Sequence, residues 1–176
     1  MVLGPLLYGL VILGFVALLA AAAVSDVRFY RIPNRLCAGV AILFAIFCLV
    51  SLFGADNLFR IDWLGGLMVG AAAMAIGAGV FALGLFGGGD VKLIAAIALW
   101  AGPQGIGGFL IITTLAGGVV ALLILLAHTL ERIRNSVNGA GKVVSHEKRK
   151  VPYGLAIAAG GLFVAGRLLA VQSFAA

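Results

Sequence analysis

Apolar runs long enough to cross a bilayer recur along the whole of this chain, and they decide its fold class before any motif is read. One crossing takes about 20 predominantly apolar residues. Lipid offers no hydrogen bonds, so each run must become a helix that pairs its own N–H and C=O groups. Hydrophobic residues make up 64% of the chain, far above the roughly 45–50% of a soluble domain. Its 26 glycines fall mostly inside the apolar runs, where small residues let helices approach closely. The expectation is an all-α polytopic membrane protein.

Punctuation divides the chain into six segments, 2–24, 35–53, 63–86, 91–101, 105–129 and 151–174. Ile32-Pro33-Asn34 is a break, because proline biases the residue before it away from helix, and Asn34 is placed to cap the second segment. Gly102-Pro103 ends the fourth, whose eleven residues rise only about 16 Å, half of the roughly 30 Å hydrocarbon core. Charge decides whether it crosses. With six crossings and both termini on the non-cytoplasmic side, ten of the 12 Lys and Arg residues fall inside. Only Arg60 and Arg167 remain outside, a strong positive-inside bias. Without that crossing, the basic stretch Glu131–Lys150 moves outside and the bias collapses. No Lys or Arg precedes Arg28, so the first segment reads as a retained helix and not as a cleaved signal peptide. The whole chain, 1–176, is expected to form a single domain.

Against this apolar background stand six acidic residues. Asp90 follows the triplet Gly87-Gly88-Gly89, which removes side-chain bulk and frees the backbone to turn sharply. Asp26 ends the first segment, beside Arg28 and Arg31. The six-crossing topology puts both at the ends of segments on the cytoplasmic face. Two nearby carboxyl groups can share one proton, since like charges a few ångströms apart cannot both ionise cheaply. The ionised member can then activate water while its protonated partner polarises a carbonyl. Ionisable groups in membrane segments are expensive and usually have a function.

At these residues the chain resembles the type IV prepilin peptidases, membrane aspartyl proteases with a Gly-x-Gly-Asp signature. The signature is Gly87-Gly88-Gly89-Asp90, followed by Val91-Lys92-Leu93. The motif around the first aspartate is Asp26-x-Arg28 followed by Ile32-Pro33-Asn34, and Val151-Pro152-Tyr153-Gly154 opening the last segment is a third similarity. The resemblance implies Asp26 and Asp90 as catalytic residues, with Gly87, Gly88, Gly89 and Lys92 shaping the site or binding substrate. It implies prepilin or pseudopilin substrates cut at the cytoplasmic face of the bacterial inner membrane. Larger members carry an additional cytoplasmic domain, often with cysteine pairs, and methylate the new N-terminus. Here the first loop is short and has no such pair, so peptidase activity without methyl transfer is expected. The size is similar to the short peptidases of tight-adherence (Flp-type) pilus systems.

Simpler roles exist for the same residues. Asp90 could only cap a helix, Asp26 could pair with Arg28 or Arg31 in a loop, and Lys92 could sit at the membrane interface. Arg28, Arg31 and Arg35 suit topology and anionic-lipid contact. Cys37 and Cys48, about 16 Å apart on one helix, are too distant for a disulfide and read as small packed hydrophobes. No Cys-x-x-Cys and only two histidines leave no zinc pattern. Neither a metal nor an organic cofactor is expected, nor a nucleic-acid partner. The alternative from another class is a transporter or channel component using Asp26 and Asp90 as an ion or proton site.

Overall fold

The computed structural model describes residues 3–53, 62–137 and 152–175. They form five helices: α1 (Leu3–Phe29), α2 (Asn34–Phe53), α3 (Trp63–Ala82), α4 (Gly88–Val137) and α5 (Tyr153–Ala175). Four of these are long and apolar enough to cross a bilayer, and α2 contributes a shorter apolar stretch, Asn34–Leu49. The chain is an all-helical membrane protein. Arg60, between the second and third expected segments, and most of the basic Glu131–Lys150 stretch lie outside the described residues.

α4 explains how a short fourth segment is accommodated. Its apolar span Gly88–Glu131 covers 44 residues, and as a straight rod it would reach about 66 Å, twice the hydrocarbon core. It does not stay straight, because Gly102 leaves helical geometry at φ 58°, ψ −175° with Pro103 next to it. That left-handed φ suits glycine alone without strain. Neighbours show the reversal. Along the first half, Ile97 lies against Gly161 and Phe86, just before it, against Tyr153, so this half runs parallel to α5. Along the second half, Gly105 meets Arg167, Gly108 meets Phe163 and Gly117 meets Ala156, so this half runs antiparallel to it. The expected segments 91–101 and 105–129 are thus two arms of one broken helix.

Several helix ends differ from expectation, and α4 runs on to Val137, past the expected end at residue 129. α1 continues through Asp26 to Phe29, since Tyr30 N donates to Asp26 O at 2.8 Å before Tyr30 turns left-handed at φ 50°. α3 stops at Ala82, short of Phe86, because Gly84 takes φ 72° and donates to Phe81 O. The sharp turn therefore lies at Leu83–Gly87, and Gly88 and Gly89 already belong to α4. Asp62 caps α3, its carboxylate accepting from Gly65 N at 2.8 Å.

The core gathers on Trp100, near the end of α4's first arm. Phe15 stacks on it with centroids 4.7 Å apart, and Phe44 and Phe47 approach to 5.5 Å. Each such pair adds about 0.5–1.5 kcal/mol beyond its buried area. The indole N–H has no water to turn to, and it donates to Val40 O on α2 at 3.1 Å. α3 presses on the same arm through glycines, and a Cβ at Gly66 would stand 2.5 Å from the Leu99 carbonyl oxygen.

Gly66→Ala therefore pushes α3 off α4 and should cost about 1–3 kcal/mol, as overpacking does. Gly79 on the same helix faces open space, with nothing within 4 Å of a Cβ, and Gly79→Ala should leave the protein at least as stable. Thermal unfolding of the two variants in detergent checks the contrast.

Candidate active site

Three chain segments meet at one end of the bundle: the last turn of α1 with the link after it, the Leu83–Gly87 turn with the start of α4, and the start of α5. Between them opens a cleft of about 1020 Å³ lined by Asp26, Asp90, Gly87–Gly89, Lys92, Asn34 and Tyr153, among others. Both aspartates line the same space. Of the expected site residues, Asp26, Asp90, Gly87, Gly88, Gly89 and Lys92 all line this cleft.

Asp26 is not the exposed loop residue that pairing with Arg28 or Arg31 would require. It is 5% exposed, and its Oδ2 accepts a hydrogen bond from Gly154 N at 2.6 Å. The donor is one of the free N–H groups in the first turn of α5, directed at a carboxylate from the positive end of the helix dipole. Only a residue without a side chain fits there, because a Cβ at Gly154 would stand 2.8 Å from both Cβ and Oδ2 of Asp26.

Asp90 lies in the first turn of α4, half-buried, with Val91 N bonded back to Gly87 O at 3.2 Å. The three glycines before it are not equivalent. A Cβ at Gly87 would come 2.8 Å from Asp90 Oδ2, and one at Gly89 would come 3.2 Å from the backbone oxygen and Cβ of Ile32. A Cβ at Gly88 would make only ordinary contact, 3.4 Å from the Phe81 ring. Two of the three are thus accounted for by the protein's own packing.

Lys92 donates from Nζ to Asn34 Oδ1 at 3.0 Å. Cys37 is buried as expected, and its thiol also donates to Gly89 O, with sulfur to oxygen 3.7 Å. Cys37 and Cys48 are both free. Among the described residues, no three His, Cys, Asp or Glu side chains gather where a metal ion could be held. Sequence reasoning gave no role to Gly154 or Cys37's thiol, and it read Asn34 only as a helix cap. Pro152-Tyr153-Gly154 at a helix start was the available signal, since a glycine there exposes amides to a ligand or carboxylate.

A membrane helix bundle with two carboxyl groups lining one cleft is the arrangement these elements define. A sequence model of the type IV leader peptidase family matches residues 13–122, and the chain belongs to that family. It is also 29% identical over 151 residues to a prepilin leader peptidase/N-methyltransferase of Bacillus subtilis (strain 168), covering 84% of this chain. The match takes in 52% of that relative, so the chain spans about half its length. No solved structure matches the chain.

The buried Asp26–Gly154 bond is a charge-assisted one, of a kind worth about 1.5–3 kcal/mol. Gly154→Ala should remove a comparable amount of stability, whereas Gly88→Ala should be near neutral. Asp26→Asn should retain the fold, because the amide oxygen can still accept from Gly154 N. Unfolding midpoints of the three purified variants test this ordering.

Proposed function

We propose that this protein is a membrane-embedded aspartic endopeptidase that removes the leader peptide of type IV prepilins or pseudopilins, of the small Flp-like kind, at the cytoplasmic face of the inner membrane. The observation that carries the proposal is the meeting of Asp26 and Asp90 in one cleft beside a bare glycine turn. Family membership supports the reaction class, and the name of the Bacillus subtilis relative supports the substrate class.

In this mechanism the pair holds one proton between its two carboxyl groups, and water sits between them. The ionised carboxylate takes a proton from water as its oxygen attacks the scissile carbonyl carbon. The protonated carboxyl group donates a hydrogen bond, then its proton, to the carbonyl oxygen. Collapse of the tetrahedral intermediate breaks the C–N bond, and the leaving amine takes a proton from the pair. The reaction uses only water and needs no cofactor. The pair acts and titrates as a unit, so acid and base are not divided between its members.

Six crossings complete the reading, with α4 counted as two and both termini on the non-cytoplasmic side. The reversal at Gly102 supports that count, and the positive-inside charge bias supports the orientation. The cationic residues around the link would then meet anionic lipid. The single domain 1–176 carries out cleavage alone, without methyl transfer. A transport role is less well supported, since transport sites lie near the bilayer midplane and both aspartates here are at helix ends.

Asp26→Asn and Asp90→Asn should each lower cleavage at least about 10³-fold, within the range that a positioned acid–base group supplies. The assay is conversion of a co-expressed small prepilin, followed by precursor size at matched membrane levels. An active Asp90→Asn enzyme would refute the proposal. Gly87→Ala, which displaces Asp90 Oδ2, should fold but cleave at least tenfold more slowly than Gly88→Ala. The mature product, weighed by mass spectrometry in the presence of S-adenosylmethionine, should carry an unmethylated N-terminus.

A further inference from the structure

The two aspartates belong to helices that are far apart in sequence, and something must fix the gap between them. α1 and α4 each continue away from the cleft. What joins them at the cleft is the link between α1 and α2, which begins four residues after Asp26 and packs on the turn that holds Asp90.

We propose that Tyr30–Cys37, the link together with the first turn of α2, is a rigid spacer setting the separation of the Asp26 and Asp90 carboxyl groups, with Asn34 and Lys92 as its positioning pair. The proposal rests on reading these aspartates as the catalytic pair. At the α1 end the link is fastened beside Asp26. Ser25, the preceding residue, donates from Oγ to Arg31 O at 2.8 Å, and Tyr30 holds the left-handed φ of 50° that starts the link. A non-glycine residue persists in that region only where its surroundings enforce it. Pro33 then locks one more backbone angle.

At the α4 end the link is fastened beside Asp90 by three separate contacts. Ile32, 8% exposed, packs against Gly89 so closely that a Cβ there would lie 3.2 Å from it. The Cys37 thiol donates to Gly89 O, and Asn34 Oδ1 accepts from Lys92 Nζ. The contacts reach residues immediately before Asp90 and two after it, so they hold both sides of the first turn of α4. A ring results: Asp26, link, glycine turn, Asp90. Asn34 and Lys92 act through Asp90's backbone and touch no reacting atom. Displacements of about 1 Å in such positions can cost up to about 100-fold in rate.

The test uses the full chain in detergent with a small prepilin substrate. Asn34→Ala and Lys92→Met should each lower kcat about tenfold and leave KM within about twofold. The double variant should be no worse than either single one, because both remove the same bond. The exchanged pair, Asn34→Lys with Lys92→Asn, restores the hydrogen bond with donor and acceptor reversed and should recover kcat to within about threefold of wild type. Recovery separates the bond from a need for a cation at position 92. Additive single losses, an exchanged pair no better than the singles, or a loss in KM alone would each overturn the spacer.

A second measurement does not depend on cleavage. Amide hydrogen exchange across residues 87–93 should be faster in both single variants and return to the wild-type rate in the exchanged pair. Unchanged exchange in the singles would also overturn the spacer and leave the proposed activity standing. Cleavage by Asp90→Asn, with exchange behaving as expected, would instead remove the catalytic reading and keep the structural role.

Discussion

Helices in lipid gain nothing from hiding apolar surface from one another, since the acyl chains are as apolar as their side chains. Close packing has to replace that missing force, and this bundle depends on it. Gly66 and Gly70 of α3 lie against Leu99, and Gly161 of α5 is wedged between Leu19 and Ile97. At each point the absent side chain lets dispersion contacts form over a whole helix face. The aromatic cluster around Trp100 fills the larger space where α1, α2 and α4 converge.

Within that packing every polar group must be matched inside the protein. Trp100 finds the Val40 carbonyl, Tyr8 donates to Leu168 O at 2.8 Å, and Asp26 finds the Gly154 amide. Each of these bonds joins two different helices, so polar pairing also sets the register between them. Among the described residues, matching is incomplete at Thr113 Oγ1, which is buried without a partner, and in the cleft. There Asp90 is only half-buried beside a bare turn, and its carboxyl group opens onto the cleft.

Much of this was legible in the sequence because lipid narrows the choices. Length and hydropathy were enough for the helical class, and Gly102-Pro103 marked the break in α4. Asp26 and Asp90 stood out because charge is rare in such segments, and both line the cleft. The helix ends were harder to see. Asp26 looked like a loop residue, since nothing local reveals that α5 would bury it 128 residues later. The glycine triplet looked like the turn itself, yet Gly84 takes the left-handed φ and two of the triplet's glycines are helical. Asn34 suggested a cap, and its partner Lys92 is 58 residues away. Tertiary contacts of this kind leave no trace in local periodicity.

The distance along the chain between Asp26 and Gly154 has a consequence for how the protein is made. A ribosome delivers α1 first, so Asp26 enters the bilayer long before its hydrogen-bond donor has been translated. Asp90 follows while α5 is still unborn. During that interval one carboxylate lacks the amide that orients it, and the cleft has only two of its three walls. Completion of the cleft therefore coincides with insertion of α5. A chain stalled before α5 holds both aspartates but lacks the amide that orients one of them, so the assembled cleft exists only once α5 has packed.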